Sequence, residues 1–287
     1  MMTAPHNQED SARAPATVPA GSATLAAPFA PIAGTDRRGA CPSLDEPMQT
    51  GDGLLARIRV AGGILSPAQA IALAGLAAEH GNGLVEVTAR GNLQVRGLRA
   101  GSAPTFARAV TGEIVVETGV VIDISPIAGL DPAERVDARP LAGRIRSGAA
   151  DFAGRLGPKV SVVIDGGGQI SLATLKADIR LLAVGDGGWS VTLGSGRPQL
   201  MDEAGAASAS LALLGALAAM GPEARARDLF PPQGGEKAAP GPSEEPAVIA
   251  LKHGHTAAVS LPFGQVKATA LAALMEAAQA EQVKTIR

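Results

Sequence analysis

The stretch Leu84–Leu98, LVEVTARGNLQVRGL, alternates apolar and polar residues with period two for longer than an ordinary strand. That period fixes which side chains share a face. Val85, Val87, Ala89, Leu93 and Val95 fall on one side; Glu86, Thr88, Arg90, Asn92, Gln94 and Arg96 fall on the other. A chain that stays extended past Gly91 stands two arginines and three neutral hydrogen-bonding side chains in a row. The pattern supports two readings equally. One is the solvated face of a half-buried antiparallel sheet. The other is a binding face for an anion, because Arg offers forked donors that match carboxylate or phosphate.

A second strand with a cationic face precedes it. In Leu54–Val60, LLARIRV, residues Ala56, Ile58 and Val60 share one side, and Arg57 and Arg59 share the other with Leu55. Gly62-Gly63 breaks the strand. Ser66-Pro67-Ala68-Gln69 then predicts a capping box with proline at the first helical position. The helix runs to about His80 with Ala70, Leu73, Leu76 and Ala77 inside, and Gly81-Asn82-Gly83 supplies a left-handed stop. Strand, helix, strand is half of a ferredoxin-like domain. The crossover makes the two strands parallel when they lie in one sheet. Their polar faces then coincide, gathering Arg57, Arg59, Arg90 and Arg96 against Glu86 alone. Four such cations in a chain of formal net charge −2 point to a polyanionic ligand.

Composition removes other classes. With no Tyr, one Trp and five Phe there is little to stack bases on, and the net charge gives no basic footprint, so nucleic-acid binding is not expected. The single cysteine, Cys41, builds no disulfide, zinc site or iron–sulfur cluster, and no metal site is expected. The most apolar helix candidate, Ser208–Met220, is too short to span a membrane, and no secretory signal is visible. A cytoplasmic protein with no membrane partner is the expectation.

The remaining chain divides by texture. Residues 1–36 read as a disordered tail rich in Ala, Pro, Ser and Thr. Residues 37–115 hold the half-domain described above, including a helix near Ala103–Thr111. Residues 116–230 read as a larger α/β domain with mainly antiparallel strands: Glu113–Ile124 kinked at Gly119, and a helix over about Leu141–Leu156. A hairpin follows, Val160–Asp165 and Gln169–Leu172 joined by Gly166–Gly168, then a second, Ala177–Val184 and Trp189–Leu193, and an apolar helix Ala204–Met220. The triple glycine lacks the spacing of a phosphate loop. Residues 231–246 are a Pro/Gly linker. Residues 247–287 echo the first unit: Ala257–Leu261 matches its strand, Pro262–Gln265 its turn and Leu271–Ala280 its helix, and Val283–Arg287 begins a second strand. The expected class is therefore α+β, a ferredoxin-like half-domain repeat plus a larger α/β domain.

Several segments in this order resemble the sulfite and nitrite reductase superfamily, and within it the precorrin-3B synthases. They are Arg38–Met48, RGACPSLDEPM; Thr50–Arg59, TGDGLLARIR; and the spacing Thr88-x-Arg90-x-x-x-Gln94-x-x-Gly97. Others are Ser125–Pro132, SPIAGLDP; Lys159 before VSVVIDGGG; Ala177–Arg180, ADIR; and Leu261–Gly264, LPFG. The resemblance covers about Arg38–Arg287. It implies two ferredoxin-like halves, each followed by a larger α/β domain, with a tetrapyrrole between them. It also implies O2-dependent ring hydroxylation and lactone formation on precorrin-3A, a polycarboxylate, in aerobic cobalamin biosynthesis. Arg90 and Gln94 match tetrapyrrole-site positions and Lys159 the active-site lysine. Arg57, Arg59, Thr88 and Arg96 complete the expected binding set. Ser161 stands where the siroheme reductases carry a second lysine.

Three departures bear on activity. The family's cluster cysteines are missing, so the 4Fe-4S cluster and iron implied for the complete enzyme are not expected on this chain alone. Val120-Val121 replaces a family Arg-Asn pair. The sequence also stops inside the second repeat. The expectation is an N-terminal half, truncated or completed by a separately encoded C-terminal half. The alternatives are a non-catalytic remnant and, less well supported, part of a siroheme-dependent nitrite or sulfite reductase. His253 and His255 read as surface residues rather than iron ligands.

Overall fold

A computed structural model describes residues 41–185, 187–231 and 248–287. The tail reading for 1–36 and nearly all of the linker reading for 231–246 lie outside the described residues. The elements in order are β1 (Met48–Thr50), β2 (Gly53–Ile58), α1 (Pro67–His80), β3 (Leu84–Val87), β4 (Leu93–Leu98) and α2 (Ala103–Glu113). Next come β5 (Val121–Ile124), α3 (Ala138–Gly148), β6 (Ser161–Asp165), β7 (Ile179–Val184), β8 (Gly188–Leu193), β9 (Gln199–Met201), α4 (Glu203–Met220) and α5 (Ala226–Leu229). The described chain closes with β10 (Val248–Leu251), β11 (Gly254–Ala257), β12 (Gln265–Lys267) and α6 (Ala268–Ala280).

The long alternating stretch is a hairpin, not one strand. Gly91 takes φ +68°, and the chain reverses between β3 and β4. Thr88 closes the loop: its N–H donates to the Asn92 carbonyl at 2.9 Å, and its hydroxyl accepts from the Asn92 N–H at 3.1 Å. The alternation survives on both arms, so Val85 and Val95 still point into the core. The first sheet has the order β1-β2-β4-β3-β12. Each neighbour is antiparallel, so β2 and β3 are parallel with β4 slotted between them, the split form of a strand–helix–strand unit.

Helix α1 starts as its sequence predicts. The Ser66 hydroxyl accepts from the Gln69 N–H and the Gln69 side chain accepts from the Ser66 N–H. Ala70, Leu73, Ala74 and Ala77 are buried, and Leu76 is only partly so. The left-handed residue after it is Gly83, not Gly81. Gly81 is required for close approach instead, since a Cβ there would stand 2.5 Å from the Arg96 carbonyl.

The second sheet, β5-β6-β7-β8-β9, is mixed: β5, β6 and β7 run parallel, β7, β8 and β9 antiparallel. Glu113–Ile124 is not a kinked strand. Helix α2 extends to Glu113, Val116 makes a lone bridge to Val60, and only Val121–Ile124 joins the sheet. The helix expected over Leu141–Leu156 begins earlier, capped by Asp137, and ends at Gly148 before a short 3-10 turn. Gln169–Leu172 forms no strand, because β6 pairs with β5 and β7 instead of folding back. Gly166–Gly168 serves packing: a Cβ on Gly168 would meet Asp131 Oδ2 at 2.1 Å, and one on Gly166 the Val136 carbonyl at 2.6 Å.

Two cores follow from these sheets. One joins β2, β3 and β4 to α1, α2 and Met275 of α6. The other packs Ile122, Val162, Ile164, Leu181 and Trp189 against Leu141 and Ile145 of α3 and Leu214 and Leu217 of α4. Helix α4 is longer than its apolar centre suggested. At 18 residues it has the length and composition to cross a membrane, yet it lies against the second sheet with seven residues buried.

Within this last segment β12 and α6 pack onto the first unit with a reciprocal symmetry, while β10 and β11 form a separate hairpin beside the Gly129–Leu130 loop. Val266 bridges Val85 antiparallel, and Leu65 bridges Ile286 antiparallel. Both partnerships relate positions 201 residues apart (65 to 266, 85 to 286). The 3-10 turns Ala61–Gly63 and Pro262–Gly264 match under the same offset, each with consecutive positive φ angles. Helices α1 and α6 pack directly on each other. The strand expected over Ala257–Leu261 does not form; β10 and β11 make a hairpin ahead of it.

Candidate functional site

The polar face of the first sheet gathers a row of side chains in strict register. Arg57 of β2 stands beside Gln94 of β4, Gln94 beside Glu86 of β3, and Glu86 beside Gln265 of β12. With its amide turned to satisfy both neighbours, Gln94 donates to Glu86 Oε2 at 3.0 Å. Its oxygen accepts from Arg57 Nε at 2.9 Å and Nη2 at 2.7 Å. Arg96 reaches the same carboxylate at 3.3 Å and Asp52 Oδ2 at 3.2 Å. The hydrogen bonds from Thr50 and Arg96 hold the Asp52 carboxyl below its ordinary value.

The other two arginines leave this face and cross to the second sheet. Arg59 donates to the carbonyls of Gly119 and Val120 at 2.8 and 3.1 Å, with Glu117 at 3.8 Å. A guanidinium thus arrives from β2 at the place where Val120-Val121 lacks a cation of its own. Burial pulls Arg59 below its usual value, and Glu117 works in the opposite sense. Arg90, at the tip of the hairpin, pairs with Asp123 of β5 and with the Lys176 carbonyl. Burial raises the Asp123 carboxyl above its ordinary value despite Arg90.

Lys159 is exposed just ahead of β6, and Ser161 is buried. The β5–β6 register places Lys159 level with Gly119, at the strand end where Arg59 docks. A cavity of about 160 Å³ opens there, lined by Gly119, Val120, Phe152, Gly157, Pro158 and Val160. The predicted residues therefore form two groups and a bridge. Arg57, Gln94 and Arg96 share the sheet face, Arg59 and Lys159 share the strand end, and Arg90 spans the gap; Thr88 spends its hydroxyl closing the loop. The acids Asp52, Glu117 and Asp123, which partner these cations, were missed. Asp123 carried the one available signal, a lone carboxylate within the apolar run Val121-Ile122-Asp123-Ile124.

Two further buried carboxylates organise the second domain. Asp178 accepts from the Ser161 and Ala226 N–H groups at 3.2 and 2.9 Å and pairs with Arg225 at 2.8 Å. Asp131 accepts from Gln169 and Ala133, joining the Ser125–Pro132 loop to the glycine turn. Burial opposes its charge, but those hydrogen bonds prevail and hold it below its ordinary value.

The family model for the nitrite/sulfite reductase ferredoxin-like half domain matches residues 46–111, the span that holds β1 to β4, α1 and most of α2. Residues 46–111 are such a half domain. Over a longer span that includes the half domain, the chain is 41% identical over 274 residues to a precorrin-3B synthase of a Sinorhizobium species, covering 88% of this chain and 60% of that protein. A ferredoxin–nitrite reductase of Synechococcus elongatus is 34% identical over 143 residues, covering 45% of this chain and 27% of that one. The structure of the Mycobacterium tuberculosis NirA protein superposes with a TM-score of 0.59 at 20% identity, covering 82% of this chain and 52% of that one. That last likeness is one of fold. The chain spans about 60% of the length of the precorrin-3B synthase it matches.

An iron–sulfur cluster does not fit the donors present. The sequence holds one thiol, and among the described residues no three His, Cys, Asp or Glu side chains converge as a metal site.

Proposed function

We propose that this chain binds a carboxylated tetrapyrrole, precorrin-3A, and supplies the substrate-holding part of a precorrin-3B synthase. The observation that carries the reading is the 41% identity over 274 residues to such an enzyme. In this reading Arg57, Arg59, Thr88, Arg90, Gln94 and Arg96 form the binding set, and Lys159 is the active-site lysine. The four arginines touch acids or carbonyls of their own chain, so a substrate carboxylate binds them by exchanging with partners already in place. Exchange of this kind costs least at the Arg96–Asp52 pair, where both side chains are half-exposed. The hydroxylation chemistry needs iron and a cluster that this chain's donors do not hold, and a complementary polypeptide carrying spaced cysteine pairs would supply them.

The test is titration of the purified full chain with uroporphyrin I, an octacarboxylate, followed by fluorescence. Saturable binding that weakens with added salt is expected. Arg96→Ala should weaken it about tenfold, the loss of roughly one charge-assisted hydrogen bond. Absence of saturable binding at low ionic strength overturns the reading. A second reading, a remnant without catalytic activity, rests on the single cysteine. It is favoured if uroporphyrin binds yet no cysteine-bearing partner restores turnover.

A further inference from the structure

The row of side chains on the first sheet contains a member from outside the half domain. Gln265 belongs to β12, and its amide donates to Glu86 Oε1 at 2.6 Å. Glu86 also receives Arg96 and, through Oε2, the Gln94 amide. A carboxylate only accepts, so Gln94 must turn its NH2 group to Glu86 and its oxygen to Arg57. That orientation occupies Arg57 Nε and Nη2 and, among the described residues, leaves Arg57 Nη1 without a protein acceptor. Every hydrogen bond from Arg57 to Glu86 therefore runs in one sense, because Arg57 only donates and Glu86 only accepts, and Gln265 holds the other oxygen of that carboxylate.

We infer that Glu86 and Gln265 are positioning residues for the carboxylate-binding face. Gln265 fixes Glu86, Glu86 fixes the Gln94 amide, and the amide fixes the Arg57 guanidinium. The inference rests on the tetrapyrrole reading above and extends it: the site takes its final geometry only when residues of the second repeat are annealed to β3. Gln94 is 8% exposed, so its amide has little access to water in place of Glu86 and Arg57.

The experiment uses the full chain, uroporphyrin I as probe, and the variants Gln265→Glu and Gln265→Leu, each titrated from about pH 5 to about pH 8. Gln265→Glu sets a second carboxyl against Glu86, and two carboxyls at that distance share one proton. Protonated, the new group donates as the amide did; ionised, it repels Glu86. The charged groups facing the pair are Arg57 and Arg96, with Asp52 behind Arg96 and Lys267 two residues along β12. Affinity is read as a ratio to wild type at each pH, which removes the titration of the probe itself. The ratio for Gln265→Glu should be near one at the acid end and fall about tenfold towards neutrality. Gln265→Leu should be about tenfold weaker throughout, with no pH step. Loss of binding by both variants in proportion to their thermal midpoints at every pH would make Gln265 a strand-docking residue only and overturn the inference. So would variants that bind like wild type. Wild-type protein that binds no uroporphyrin overturns the tetrapyrrole reading, and this inference with it.

Discussion

Asp178 shows how much one carboxylate can organise in this chain. It is 4% exposed and satisfies the first N–H of β6, the first N–H of α5 and the Arg225 guanidinium together. Removing it leaves two buried N–H groups and a cation without an acceptor. Asp178→Ala should therefore cost on the order of 3 kcal/mol, seen as a lower denaturant midpoint with an unchanged slope. No spacing rule links Asp178 to Ser161 or Ala226, so this network was invisible in the sequence. The arginines were visible, because their alternation in LARIRV and LQVRGL puts them opposite the apolar side chains. Their acidic partners were not, since Asp52, Glu117 and Asp123 come from turns and from another sheet.

At the scale of elements, helix α1 was legible from end to end, because a capping box is a local contract between residues three apart. Its second side-chain link is not local: Gln69 also donates to the Glu113 carbonyl at 2.9 Å, closing the end of α2. Ser66→Ala should cost about 1 kcal/mol through the lost cap. Hydrogen exchange should report it as weakened protection confined to the first turn of α1 and the last turn of α2. The strands were legible in pattern but not in extent. Gly91 permits either a continuous strand or a reversal, and only pairing of β4 between β2 and β3 decides for the reversal. Gly166–Gly168 misled for a similar reason. Triple glycine signals a turn by its freedom, whereas here close approach of Asp131, Glu134 and Val136 demands it. The matched helices α1 and α6 make the same point: Leu73 is 1% exposed and Leu274, 201 positions on, is 39% exposed. Like sequence gives like helix, and the packing around each sets what it buries.

Over the whole molecule, the two sheets are joined by Arg59 and Arg90 reaching from the first to β5 and its approach. Asp123 carries the electrostatic burden of that junction. Its carboxyl is raised above the unfolded value of 3.8, so the folded chain binds a proton more readily than the unfolded chain. Stability from this group is then full below pH 3.8 and is lost as pH rises through the folded value. Asp123→Asn should remove that decline, leaving the neutral form in place at every pH. Thermal midpoints measured across the acid-to-neutral range should fall less steeply in the variant than in wild type. Steeper or unchanged pH dependence would show that the Arg90 pairing outweighs the desolvation.

The sequence by itself determined the α+β class, the cationic character of one strand face, the helix α1 cap and the echo of the first unit in 248–287. Each rests on patterns among residues within a few positions of one another, where helical and strand periods act directly, and the echo is the same local pattern written twice. Tertiary structure alone decided that Leu84–Leu98 is a hairpin, that the second sheet is half parallel, and that Gln265 closes the row begun by Arg57. Those outcomes depend on which surfaces meet, and burial and hydrogen-bond satisfaction between distant segments settle that, not local periodicity.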